Sequence, residues 1–256
     1  MQLARIGFWK NKSHYLNKMT FRELVAAYFQ YYAIQTYILL GVASVVVALL
    51  YGTALLPNVI AAVLAVVIYP LVWYALHRWI LHSQFMYKSP LTAKVWKRIH
   101  FDHHQDPHHL EVLFGALYTT LPTIMLATMP IGWLLDGIGG AASALAAGLF
   151  TTCFYEFCHC VQHLSFKPKQ KWLADIKQRH MAHHFHNEKG NFGITNFFWD
   201  KAFGTFYEHD QKPEKSATVF NLGYDKDMAE RYPWVAGMTA DMDSTTPRER
   251  RENRAA

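Results

Sequence analysis

Residues 24–77 read LVAAYFQYYAIQTYILLGVASVVVALLYGTALLPNVIAAVLAVVIYPLVWYALH, without a single Asp, Glu, Lys or Arg. A bilayer's hydrocarbon core takes about 20 apolar residues per helix, so this stretch is long enough for two spans. A second stretch, 112–155, holds one charged residue, Asp136. Turn-forming residues divide both: Pro57-Asn58 in the first, Asp136-Gly137 followed by Gly139-Gly140 in the second. The pattern predicts an all-α integral membrane protein with four transmembrane helices in two hairpins, at about 33–52, 57–77, 112–135 and 140–161. The near-zero mean hydropathy of −0.01 conceals this segregation.

Working outward, the basic residues set the orientation. Of 25 Lys and Arg, five precede the first hairpin (Arg5, Lys10, Lys12, Lys18, Arg22), five lie between the hairpins (Arg78, Lys88, Lys94, Lys97, Arg98) and fifteen follow His163. By the positive-inside rule the N-terminus, the middle segment and the C-terminal third are cytoplasmic. The net charge of +6 is thus a topology signal and a fit to anionic headgroups. No basic stripe interleaved with stacking aromatics is present, so no nucleic-acid partner is expected. Cys153, Cys158 and Cys160 lack CxxC spacing, and an odd count facing a reducing compartment argues for free, packing thiols.

Thr20-Phe-Arg-Glu23 has capping-box form, and Phe21, Leu24, Val25, Tyr28, Phe29 and Tyr32 follow at helical spacing. Residues 1–32 therefore read as a basic segment with an interfacial helix, or with a continuation of the first span. The first 22 residues carry no apolar run of signal-peptide type. A membrane-embedded domain is expected over 33–240 and a mobile tail over 241–256, with GNFGITNFFWDKAFGTF (190–206) as the last segment expected to be ordered.

Ten histidines fall in four clusters: His77 and His82 in HRWILH, His100, His103 and His104 in HFDHH, His159 and His163 in HCVQH, and His180, His183 and His184 in HMAHH. Each cluster lies at or beyond the cytoplasmic end of a span. Neutral imidazole is the commonest protein metal ligand, and i, i+3, i+4 spacing gathers rings on one helix face. Structural zinc sites close with four ligands, often including Cys; ten histidines suit two metals with about five ligands each, and imidazole also suits iron. Adjacent rings in HxxHH differ by ~100° around a helix, so His103 and His104 are expected to serve different metals, as are His183 and His184. His159 and His163 clamp one metal, whereas His77 and His82, at i and i+5, diverge unless the helix ends between them. Glu156 and Asp102 are candidates for orienting a ligand histidine. His108, His109 and His186 lie near the clusters; His14 and His209 read as surface residues.

HRWILH, HFDHH, YEFCHCVQH and RHMAHHFHNEKGNFGITNFFWDKAFGT, running from about Trp73 to Tyr207, resemble the fatty acid hydroxylase superfamily of membrane di-iron enzymes. They are most similar to fatty acid 2-hydroxylases. The resemblance implies that all ten clustered histidines bind two iron ions, with zinc able to substitute on purification, and that a four-span membrane base carries a cytoplasmic helical cap. It also implies dioxygen as co-substrate and hydroxylation of a lipid acyl chain at carbon 2 of a long-chain fatty acid or its ceramide amide. Residues 1–32 cannot form the N-terminal haem domain many eukaryotic relatives carry, so electrons are expected from a separate cytochrome b-type or ferredoxin/reductase donor. The alternatives are a sterol or carotenoid hydroxylase or desaturase and, in a different class, a histidine-rich metal transporter. Transporters place ionisable groups at mid-membrane, whereas these spans are nearly free of them. The expected location is a bacterial inner membrane or the endoplasmic reticulum.

Overall fold

The computed structural model describes residues 14–208 and 213–239. The proposed tail at 241–256, His209, and Arg5, Lys10 and Lys12 lie outside the described residues. Within them the chain forms α1 (Phe21–Gln30), α2 (Tyr32–Tyr51), α3 (Leu55–Ala75), α4 (Pro90–Trp96), α5 (Asp102–Gln105), α6 (Leu110–Leu113), α7 (Leu117–Gln162), α8 (Lys171–Phe185), α9 (Phe198–Ala202) and α10 (Lys226–Arg231), and no strand. They belong to two compact units: one holds Thr20–Trp73 and Gly115–His159, the other His14–Met19, Tyr74–Phe114 and the residues from Cys160 on.

In the first unit, the capping box forms as the sequence predicts. The Thr20 hydroxyl accepts from the Glu23 amide at 3.3 Å, and the Thr20 amide donates to the Glu23 carboxylate at 2.8 Å. Tyr31 then leaves helical geometry (φ −76, ψ 128), so α1 is a helix of its own and not the start of the first span. The break between α2 and α3 falls at residues 52–54 instead of at the expected Pro57-Asn58. Pro57 sits in the first turn of α3, where the amide it lacks has no helical partner anyway. Asn58 Nδ2 donates to the Ala54 carbonyl at 2.8 Å and to the Asp136 carboxylate, and the Thr53 amide donates to that carboxylate at 2.9 Å. The two turns are thereby joined.

Among the described residues, three helices are long and apolar enough to cross a membrane: Tyr32–Tyr51, Leu55–Leu81 and the run Leu110–Gln162. The third is not straight. Asp136 (φ −154, ψ 40) and Gly137 (φ 52, ψ −130) leave helical geometry inside α7, and the positive φ suits a residue without Cβ. Beyond them the chain folds back. A Cβ on Gly132 would strike the Gly140 carbonyl and meet Ala144 Cβ at 2.8 Å, although residues 132 and 144 of a straight helix stand ~18 Å apart. The Asp136-Gly137 turn is where the sequence puts it. The helix entering it starts at Leu117 and not near 112, because Phe114 is extended (φ −69, ψ 132) after the short α6.

The outer faces are apolar: Leu39, Leu49, Leu50, Leu55, Leu126 and Leu134 are each 70–85% exposed. Inside, Ala61, Ala65 and Ala144 pack together, and the Phe150 ring lies directly over Gly41. Lipid offers helices no hydrophobic drive to associate, so small residues that permit close approach are what such an interior needs.

The second unit has its own core, in which Tyr87, Trp96, Phe101, Tyr224 and Val235 are buried together. The sequence predicts no ordered element after residue 206, but residues 213–239 supply α10 and three of the eight buried residues of this core, Leu222, Tyr224 and Val235. His14 also departs from expectation and is buried. Its segment pairs antiparallel with 108–110: the Leu16 amide donates to the His108 carbonyl at 2.8 Å and the Leu110 amide to the His14 carbonyl at 2.9 Å. The three cysteines are in no disulfide, and Cys158 and Cys160 are buried.

Candidate metal centre

Two local windings decide how the histidines meet. After Ala75 the helix carrying α3 widens into a π-turn, Leu76–Leu81, in which the His82 amide donates to the His77 carbonyl at 3.1 Å. A bond over five residues puts i and i+5 on one side, so His77 and His82 converge where an α-helix would splay them. A second π-turn, Lys97–Phe101, closes with the Asp102 amide on the Lys97 carbonyl and leads into His103 and His104. α8 carries His180, His183 and His184 at its C-terminal end, and the end of α7 carries His159, with His163 just beyond it.

All ten clustered histidines fall into two groups of five, each with ring nitrogens within 4.8 Å of one another. The first is His77, His82, His100, His104 and His183; the second is His103, His163, His180 and His184 with His159, one turn before His163 on an unbroken helix. Each HxxHH motif is split between groups. Nine of the ten rings are buried and His82 is half-buried. The groups adjoin: the His104 and His184 centroids are 4.3 Å apart.

The donors fit metal ions. Nε2 of His82 lies 3.2 Å from that of His77 and 2.8 Å from that of His100, and Nε2 of His163 lies 2.9 Å from that of His180. Two imidazoles on one ion, with bonds of about 2.0–2.1 Å, hold their nitrogens about 2.8–3.4 Å apart. Both ring nitrogens of the fully buried His184 make no hydrogen bond, an arrangement costly to a ring with nothing to bind. Burial, with repulsion from neighbouring imidazoles, holds His82, His100 and His184 well below the usual histidine pKa, keeping them in the neutral form a metal requires.

Backbone carbonyls orient the first group. His77 Nδ1 lies 2.7 Å from the Phe192 carbonyl, His183 Nδ1 2.8 Å from that of Gly190, and His104 Nδ1 2.9 Å from that of Val219. A carbonyl only accepts, so each Nδ1 carries the proton and each Nε2 keeps its lone pair for the site. The sequence reading missed these partners, since a carbonyl has no residue signature; the glycine-aromatic run at 190–206 was the trace of two of them. Lys97 Nζ holds the Asp102 carboxylate at 2.7 and 2.9 Å, and Glu156 Oε1 accepts from the Gly115 amide at 3.0 Å.

Three nearby histidines stand outside both groups. His108 Nδ1 donates to the His163 carbonyl at 3.1 Å, His109 stacks on Tyr15, and His186 Nε2 donates to the Pro213 carbonyl at 2.7 Å. Of the aromatics in the 190–206 run, Phe197 is buried, while Phe198 and Phe203 are exposed.

A model described as fatty acid hydroxylase matches residues 62–205. The chain is 30% identical over 152 residues to the ceramide very long chain fatty acid hydroxylase SCS7 of Saccharomyces cerevisiae, covering 57% of this chain and 37% of that one. It is 27% identical over 156 residues to the fatty acid 2-hydroxylase of Rattus norvegicus (59% and 41%). To the dihydroceramide fatty acyl 2-hydroxylase FAH2 of Arabidopsis thaliana it is 30% identical over 141 residues (55% and 57%). The chain thus spans between about a third and just over half the length of these relatives. A solved structure of full-length scs7p, with only its hydroxylase domain visible, superposes with a TM-score of 0.60 at 27% identity, covering 74% of this chain and 69% of that one.

Proposed function

The chain belongs to the fatty acid hydroxylase family, and on that premise we propose that it is a membrane di-iron oxygenase that hydroxylates a long-chain lipid acyl group at carbon 2. The observation that carries this reading is the division of the ten histidines into two adjoining groups of five. Two iron ions bound there would supply activation of dioxygen by two electrons for inserting one oxygen atom into a C–H bond. His77, His82, His100, His104 and His183 would hold one ion, and His103, His159, His163, His180 and His184 the other. Neutral rings leave lone pairs available, and the carbonyls of Gly190, Phe192 and Val219 fix the orientation of three of them.

The membrane base is read as four spans, because the third apolar run turns back at Asp136-Gly137. Its two halves, 117–135 and 138–162, are each about bilayer length. Charge distribution places both termini and the histidine segments in the cytoplasm, in a bacterial inner membrane or the endoplasmic reticulum. The hydroxylase domain is taken as 33–240, preceded by a basic segment whose helix α1 lies at the interface. Electrons come from a separate cytochrome b-type or ferredoxin/reductase protein.

A polar carboxyl or amide head sits at the membrane boundary, where His77 ends one span and His163 follows another. A chain lying in the hydrocarbon then offers its first carbons to the metals, which favours carbon 2. Named relatives act on fatty acids and ceramides, and that favours an acyl chain over a sterol or carotenoid ring. Expression in a host lacking 2-hydroxy fatty acids, with iron, oxygen and a compatible reductase, should produce them, as read by lipid mass spectrometry. Hydroxylated sterols or carotenoids in their place would overturn the acyl assignment.

A further inference from the structure

Asp200 touches neither histidine group, yet it is fully buried and accepts three hydrogen bonds. Its Oδ1 accepts from the Phe192 amide and the Thr205 hydroxyl, both at 2.8 Å, and its Oδ2 from the Gly193 amide at 2.9 Å. Because Thr205 spends its one proton on the carboxylate, the Tyr74 hydroxyl at 2.9 Å must donate to Thr205, and Arg78 donates to Tyr74 at 2.7 Å. Three donors, Arg78, Tyr74 and Thr205, are thus arranged in series toward a single buried acceptor. The amides it grips belong to the loop whose carbonyls at Gly190 and Phe192 hold His183 and His77.

That loop has little freedom left. Gly190 lies against the Thr205 carbonyl and Gly193 against the Asn196 carbonyl, where a Cβ would collide. Asn191 is held at φ 55 while its side chain pairs with both the amide and the carbonyl of Tyr207. A non-glycine residue at positive φ persists only where its surroundings over-determine it.

We propose that Asp200 is a positioning residue for the first histidine group, acting through the 190–193 loop to hold His77 and His183 with Nε2 directed at the metal. The inference rests on the metal reading above. It adds an asymmetry: Asp200 serves one ion and not its neighbour. Partners behind a ligand histidine typically change metal affinity 10–100-fold.

The test uses the purified full chain loaded with ferrous iron, following release of iron to a coloured chelator. Wild type should yield two ions. In Asp200→Asn, whose amide sets an N–H against a backbone N–H, one ion should leave roughly 10–100-fold faster and the other at the wild-type rate. Thr205→Val, which removes one donor and keeps the shape, should speed the same ion by less, and it decides the matter alone if Asp200→Asn fails to fold. Val235→Ala, a core change in the same unit, should speed neither ion selectively. Release of both ions at wild-type rates in Asp200→Asn and Thr205→Val, or equal acceleration of both, overturns the proposal. A wild-type chain that binds no iron overturns the metal reading and this inference with it.

Discussion

His103 and His104 are consecutive residues with ring centroids 6.1 Å apart, and they belong to different histidine groups. On a helix adjacent side chains diverge by ~100°, so one short helix contributes to both groups. His183 and His184 repeat the device from α8.

Single substitutions at this pair should therefore have separable effects on metal and a common effect on turnover. His104→Ala should lose the ion of the first group and His103→Ala that of the second, each leaving about one ion per chain. Both should lower hydroxylation by at least on the order of 100-fold, beyond the loss usual for a group merely behind a ligand. His186→Ala should keep both ions. Elemental analysis of the three variants checks this, and full metal content in either ligand variant would count against the grouping.

Acid should destabilise the metal-free protein. Burial lowers the pKa of His82, His100 and His184 well below 6.5, so the unfolded chain takes up protons that the folded chain refuses. Stability is then full above about pH 6.5 and falls as pH drops, by roughly 1.4 kcal/mol per pH unit for each histidine so affected. Thermal melting of chelator-treated protein should show a Tm that holds from pH 8 to 7 and declines from 6.5 to 5. A Tm flat to pH 5 would contradict it.

The fold-back of α7 makes Gly132 a sensitive position. It lies against the Gly140 carbonyl and Ala144, so Gly132→Leu should cost about 1–3 kcal/mol by overpacking. Leu134→Ala, on the 85%-exposed face, should cost little. Melting in detergent distinguishes the two, and equal stability would mean that the second apolar stretch does not turn on itself as described.

Labelling of cysteines tests the side on which each turn emerges. Leu55 and Ile138 are exposed beside turns that share the Asp136 carboxylate, so Leu55→Cys and Ile138→Cys should react with an impermeant maleimide from the outer side. Lys94→Cys should react only after permeabilisation. Outer-side labelling at Lys94 would reverse the cytoplasmic assignment of the histidine segments.

Hydropathy, charge and histidine spacing by themselves determined the helical membrane architecture, the turn at Asp136-Gly137 and the ten metal-ligand candidates. These features depend on composition and on short-range helical period, which are written locally in the chain. Other features were settled only by tertiary structure. The turn after α2 came at Gly52, because Pro57 is tolerated in a helix's first turn and Asn58 was drawn into the Asp136 contact. His77 and His82 converge because the helix there is π-wound, a choice that spacing leaves open. His14 is buried by pairing with residues 108–110, and residues 213–239 enter the core of the second unit, through contacts with partners distant in sequence. The Asp200 carboxylate grips the 190–193 loop through the Phe192 and Gly193 amides, and the carbonyls that orient His77, His104 and His183 are backbone atoms that no residue type encodes. Only folding brings those atoms within hydrogen-bond reach of the rings.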